Sequence, residues 1–298
     1  MLLGIILMTS LLSFTIYTKQ NLVDNELKSK PKEYLDGGKL VKDTISGSFS
    51  TLWNEHHHVE LVASLEDTVI IEGYEDILKT VVLDIKNDTL FIVQKPFSAD
   101  TSYLLEAGAY YKIIIGAKGL ENIVAKNMGA VKNKIVALQE DSETEKKRLE
   151  AGIDTIRNNN MNIVLINGGK VHLIIEAQTI NIQNLEAIEA NWNLVNRIHT
   201  SSHARLAGKV EQLNLNFNGG TIMAGQCLAQ KVSIKSKGRP KHQDRATIEV
   251  KVDELLEVEL NNGTDVIYTG QPKIRKIERS SGRVLDGNYY GEKVVLPH

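Results

Sequence analysis

Alternating apolar runs, each closed by a small polar turn, recur at near-regular intervals through the second half of the chain. In residues 255–272, LLEVELNNGTDVIYTGQP, Leu256, Val258 and Leu260 alternate with Glu257, Glu259 and Asn261. Period two is the pattern of a strand with one buried face. Asn262-Gly263 follows, a pair suited to positive φ and so to a sharp turn. Val266-Ile267-Tyr268 then resumes the apolar run, and Gly270 and Pro272 close it. The same unit returns elsewhere. Asn218-Gly219-Gly220 follows Leu213, Leu215 and Phe217; Ser236-Lys237-Gly238 follows Val232 and Ile234; Ser280-Ser281-Gly282 follows Ile274 and Ile277. Asn167-Gly168-Gly169 follows residues 163–166, and Thr200-Ser201-Ser202 follows a weaker run.

The turn centres at 168, 201, 219, 238, 263 and 282 are separated by 33, 18, 19, 25 and 19 residues. The interval of 25 contains GRPKHQDR, residues 238–245, which reads as a loop bulging from a regular coil. The interval of 33 is too long for one repeat and short for two. A β repeat of roughly 20 residues is the mark of a solenoid, in which no coil buries its apolar face alone. An antiparallel meander with Gly-rich hairpins is the alternative.

Residues 1–18 carry no charge, and the apolar core 2–12 has the length of a signal-peptide h-region. A spanning helix needs about 17–25 apolar residues, so an uncleaved anchor is the other reading. No Lys or Arg precedes the run, which is consistent with a true start upstream of Met1. The polar stretch after it, with Pro31 and Gly37-Gly38, reads as a tether. Short strands then follow densely from Ile45 to Val131, with Lys86-Asn87-Asp88 as a turn between two of them. Around residues 142–158 the pattern breaks. Ser142 and Glu145 fit a capping box, and Leu149, Ile153 and Ile156 fall at helical spacing, which predicts one surface helix.

At these residues the chain resembles the putative auto-transporter adhesin, head GIN domain family of Gram-negative bacterial envelopes. The likeness runs from Gly47-Ser48-Phe49 through Asp88-Thr89-Leu90-Phe91-Ile92 and Leu120-Glu121-Asn122-Ile123. It is densest in residues 213–225 and 256–272, ending on Tyr268-Thr269-Gly270-Gln271-Pro272. The resemblance implies two β units, the second a right-handed parallel β-helix-like stack. The charged stretch near Ser142 and the glycine-free Thr200-Ser201-Ser202 turn depart from the pattern.

The expected fold is therefore all-β: two β units, the C-terminal one a right-handed parallel β-helix-like solenoid, with one inserted surface helix. The expected organisation is a signal peptide or N-terminal membrane anchor over 1–18, a polar tether over 19–44 and an N-terminal β unit over 45–131. A charged helical insertion over 132–160 and a C-terminal β-solenoid over 161–290 complete it. With 42% hydrophobic residues the chain can fill a real core, and a net charge of −2 gives no reason to expect nucleic acid. Cys227 is the only cysteine, so no internal disulfide forms.

Candidate chemistry is sparse. In His56-His57-His58, strand alternation lets at most His56 and His58 share a metal, with Glu55 or Glu60 as a third ligand; a polar strand entry is the simpler reading. Cys227 reads as a small core residue. His199 and His203 have metal-ligand spacing but flank a corner. Lys235, Lys237, Arg239, Lys241 and Arg245 suit an anionic glycan or a solvated loop, and Trp192, Tyr289 and Tyr290 could stack on sugars. A polysaccharide lyase or hydrolase needs paired carboxylates, or a metal with a basic residue, on one exposed face. Glu176, Glu186, Glu189, Glu211, Glu249 and Asp253 share no face that the repeat defines.

No catalytic residue, cofactor or metal is assigned on these grounds. The expectation is a non-enzymatic, exported envelope protein of the periplasm, outer membrane or cell surface. It would be an adhesin-like or assembly module with a glycan or protein partner, touching the membrane through residues 1–18 if these stay uncleaved. A carbohydrate-active β-helix enzyme or polysaccharide-binding protein is the alternative, and an inert spacer a third.

Overall fold

Strand after strand turns one row of side chains inward and the other outward, as period-two alternation dictates. The structure is a computed structural model. It describes residues 39–95, 111–133, 155–185, 202–217, 219–236, 246–260, 264–278 and 282–288. The expected signal peptide or anchor lies outside the described residues, as does most of the tether.

The first strands are β1 (Leu40–Ser46), β2 (Thr51–Glu55), β3 (His58–Glu66) and β4 (Thr68–Tyr74). A single turn of helix, α1 (Glu75–Leu78), precedes β5 (Val81–Lys86) and β6 (Thr89–Gln94). Next come β7 (Tyr111–Lys118), β8 (Asn122–Lys126) and β9 (Ala130–Asn133). The longer strands are β10 (Ile156–Ile166), β11 (Lys170–Leu185), β12 (His203–Phe217), β13 (Thr221–Ser236) and β14 (Thr247–Leu260). β15 (Asp265–Gly270), β16 (Lys273–Glu278) and β17 (Arg283–Asp286) end the described chain.

Two boundaries differ from those expected. β1 begins at Leu40, inside the stretch read as tether, because Leu40–Ser46 pairs antiparallel with Thr68–Tyr74. Ile156, read as the end of a helix, is buried and opens β10; Asn158 and Asn160 sit opposite Ala177 and Thr179 on β11. Tertiary pairing with β11 overrides the local helical spacing there. The remainder of the expected helix lies outside the described residues.

All seventeen strands join one mixed, curled sheet, and α1 is the single helix among the described residues. Antiparallel pairs are confined to the beginning: β1 with β4, β4 with β7, and β5 with β6. The β5–β6 hairpin turns on Asn87 and Asp88, both at positive φ (48° and 61°). From β8 onward every ladder is parallel. Lys170 on β11 faces His203 on β12, 33 positions on. His203 faces Thr221, then Thr247, then Asp265, then Arg283, so the later steps are 18, 26, 18 and 18 residues. The puzzling interval of 33 is thus a single ladder step. The extra residues near Gly238 fall in the step before β14.

Two of the later strands, β11 and β13, follow corners within the described residues. Asn167 and Gly168 hold φ of 49° and 81°, and Gly219 and Gly220 hold 153° and 90°. Gly263 lies outside the described residues. Inward, one cluster of buried Leu, Ile, Val, Ala and Phe runs from Phe49 to Tyr268, with Leu52, Ile123, Ile163, Leu213 and Leu256 fully enclosed. Burial of such side chains stabilises by about 1.5–3 kcal/mol each.

Candidate functional site

Among the described residues the inward rows fill the core and the outward rows face solvent. At the β2–β3 corner His56 adopts φ 69°, which breaks the alternation expected through the histidine triplet. His57 therefore turns inward and is almost wholly buried, while His58 faces out. The Nδ1 atom of His57 lies 3.4 Å from the Tyr111 hydroxyl, and the two rings meet edge to face at 5.9 Å. Asn54, also buried, donates to the carbonyl oxygens of His57 (2.8 Å) and Ala130 (3.2 Å). Burial pushes His57 down to about 4, with the His56 charge adding to it. His56 and His58 do not form the expected strand pair, because His56 belongs to the turn. Among the described residues no group of three His, Cys, Asp or Glu could hold a metal ion.

His58 starts a second feature. The parallel registers align His58, Ala130, Lys170 and His203 in one outward row. Two residues further on, Glu60, Lys132, His172 and Arg205 form the next. Residues two apart share a face. The rings of His172 and His203 stand 5.4 Å apart. Glu60 pairs with Lys112 at 2.9 Å and Lys132 at 3.5 Å. Arg205 donates to Gln226 at 3.4 Å. Partial burial lowers His172 to about 4, helped by the charges of His203, Arg205, Lys170 and Lys132. His203 is lowered by burial and then by Lys170 and Arg205, and His58 by burial and then by Lys132 and Lys170.

A third feature is a chain of asparagines. Asn214 donates to Asn181 (2.8 Å), Asn181 to Asn162 (2.9 Å), Asn162 to Asn122 (2.9 Å) and Asn122 to Thr51 (3.2 Å). Beside it runs a shallow groove of about 270 Å³, lined by Asn181, Gln183, Asn214, Asn216, Ser233 and Lys235. Sequence reasoning passed over this ladder, although Asn162 and Asn181 stand one repeat apart.

The acidic residues are less scattered than their sequence positions suggest. Glu176, Glu211 and Asp253 line one open groove of about 340 Å³ with Lys209 and Gln230. Irregular coil lengths hid this: Gln178, Glu211 and Gln230 all fall where the ladders skip a residue, at a bend. All three acids are exposed, and Glu176 pairs with Arg157 at 3.0 Å. Glu249 lies elsewhere, opposite Met223 and Ile267. Cys227 is fully buried, and burial pushes its thiol up to about 12, so it packs as a core residue. Glu186, Glu189, Trp192, His199, Lys237, Arg239, Lys241, Arg245, Tyr289 and Tyr290 lie outside the described residues.

The model of the family described as putative auto-transporter adhesin, head GIN domain, matches residues 51–272. The chain belongs to that family. Similar folds are known in crystals. A putative adhesin from Bacteroides fragilis NCTC 9343 has a TM-score of 0.58 at 17% identity, covering 83% of this chain and 95% of that one. A putative adhesin from Parabacteroides merdae ATCC 43184 has a TM-score of 0.55 at 14% identity, covering 83% and 96%. A putative lipid binding protein from Parabacteroides distasonis ATCC 8503 has a TM-score of 0.54 at 15% identity, covering 83% and 96%. At such identities the likeness carries the fold alone. No curated protein matches the chain.

Proposed function

We propose that this head GIN chain is an exported, non-enzymatic envelope protein whose stacked strands present an outer surface to a glycan or protein partner. The observation that carries the reading is the run of parallel ladders from β8 to β17. It supports a β-helix-like solenoid, right-handed by the general rule for parallel connections, fused to the mixed β unit at its start. Such a stack makes long, flat outer rows without a deep cleft, which suits adhesion or assembly. Membership of an adhesin-like family supports an exported or surface address. In this reading residues 1–18 direct export or anchor the chain, and residues from 19 to the start of β1 act as its tether.

The acidic groove favours one rival, a carbohydrate-active enzyme using Glu176, Glu211 and Asp253. The test is a glycan array and an envelope-extract pull-down on the full chain, run beside a reducing-end assay on polysaccharides. Specific capture without cleavage supports the adhesive reading. Cleavage that Glu211→Gln abolishes, with no capture, overturns it. Fractionation with N-terminal sequencing tests the address, and a cytoplasmic product contradicts export.

A further inference from the structure

Across β2, β8, β10, β11 and β12, two adjacent outward rows hold no Asp, Glu, Lys or Arg. The first is the asparagine ladder: Thr51, Asn122, Asn162, Asn181 and Asn214. The second lies two residues further along each strand, on the same face, and reads Trp53, Val124, Val164, Gln183 and Asn216. Phe91 on β6 extends it beyond Trp53. Asn162, Gln183 and Asn216 are exposed and the others half-buried, so solvent reaches both rows. The aromatic end is held in place. The Trp53 and Phe91 rings stand 6.2 Å apart, and the Lys126 ammonium, 3.3 Å from Glu55, lies 5.9 Å from the Trp53 ring. At the other end Asn181, Gln183, Asn214 and Asn216 line the shallow groove of about 270 Å³. We propose that this face binds a neutral, linear oligosaccharide lying along the stacking direction, with a sugar ring on Trp53 and hydroxyls on the amides. This rests on the adhesive reading and names its ligand class.

Three observations favour that occupant. The first is the hydrogen-bonding capacity of the ladder. A carboxamide offers two N–H donors and an oxygen with two lone pairs. Asn162 and Asn181 each donate once and accept once along the row, which leaves a donor and an acceptor on each amide. A sugar hydroxyl is donor and acceptor at once and matches that pairing, whereas the oxygens of a polyanion only accept. Amides already ordered by their neighbours also lose little rotamer freedom on binding. The second is charge. The rows are neutral over these strands, and where Lys235 continues the second row, Glu259 is its register partner and Glu257 continues the first. An anionic chain laid along the line would meet carboxylates there. The third is the half-buried indole in the same line, whose flat apolar face suits the C–H face of a sugar ring. A protein partner would centre instead on a fully desolvated apolar cluster, and most positions in the two rows are amides or hydroxyls.

The experiment is an array of neutral linear oligosaccharides beside sulfated and uronate-bearing ones, probed with the full chain, then titration with the neutral oligosaccharide captured most strongly. Trp53 and Trp192 are the only tryptophans, so in a Trp192→Phe chain the emission reports Trp53 alone. Neutral oligosaccharides are expected to be captured in preference to the anionic ones, and titration should shift Trp53 emission to the blue. Asn181→Ala and, separately, Trp53→Leu should weaken binding, each by about tenfold. Lys251→Ala, exposed on β14 and outside both rows, should leave it unchanged. Thermal melts confirm that each variant folds; if Trp53→Leu does not, Asn181→Ala and the emission shift decide. No capture of a neutral oligosaccharide, capture without any change in Trp53 emission, or parental affinity in Asn181→Ala overturns the proposal. Capture of anionic glycans alone, or of a protein alone, would sink this inference and leave the adhesive reading standing.

Discussion

A Cβ atom built on Gly208 would stand 2.2 Å from the carbonyl oxygen of Ile175 on the neighbouring parallel strand. The two residues are register partners across β11 and β12, and Gly208 holds φ of 110° inside a strand. Ala at 208 meets both a closed space and a forbidden backbone. Gly208→Ala is therefore expected to destabilise by about 3 kcal/mol or more in a denaturant melt. Gly119, at φ 88° but with nothing near its would-be Cβ, provides the comparison. Gly119→Ala should cost only about 1 kcal/mol. Equal losses would mean that the close approach of β11 and β12 is not real.

The asparagine ladder should behave as a coupled row. Asn181 both donates to Asn162 and accepts from Asn214, so Asn181→Ala removes two hydrogen bonds. At partly solvated positions the loss is about 1 kcal/mol. In a double-mutant cycle, Asn162→Ala and Asn181→Ala should be non-additive by about 0.5 kcal/mol or more. Strict additivity would show that the stacked amides contribute nothing beyond their own solvation.

Buried His57 makes stability depend on pH in one direction. Its folded value, about 4, lies below the ordinary 6.5. The unfolded chain therefore binds the proton first as pH falls. The contribution is intact above about 6.5 and is lost progressively between 6.5 and 4, amounting to about 3 kcal/mol at the end of that window. His172, His203 and His58 shift in the same direction, so the comparison must be with a variant. His57→Leu should be less stable at neutral pH, yet lose less stability than the parent between pH 6.5 and 4. Parallel pH profiles would place the acid sensitivity elsewhere.

Much of the architecture was legible because strand alternation and turn residues are local signals. Leu256, Val258 and Leu260 are buried as their alternation implies, and Gly219 takes the positive φ its turn requires. Ile156 was misread because helical spacing and an exposed-to-buried strand entry look alike over so few residues, and only pairing with β11 decides between them. The His56–His58 pairing misled for a related reason: one positive-φ residue, His56, reverses which face its neighbours take. The row of Lys132, His172 and Arg205 was invisible, since these residues come from strands separated by unequal intervals. Their alignment exists only once register is fixed.

Register is also the central claim, because every outer row depends on it. Arg157, Glu176, Lys209, Leu228 and Lys251 are successive partners across β10 to β14. Arg157 and Lys251 are both exposed, so each can carry a spin label after substitution by Cys in a Cys227→Ala background. Pulsed electron resonance on that pair reads four ladder steps of about 4.8 Å, or about 19 Å between backbones. Moving the second label from Lys251 to Lys209 should shorten the distance by two steps, about 10 Å. Distances that step down in this way support the stack. A distance beyond about 35 Å, or no shortening at Lys209, would contradict it.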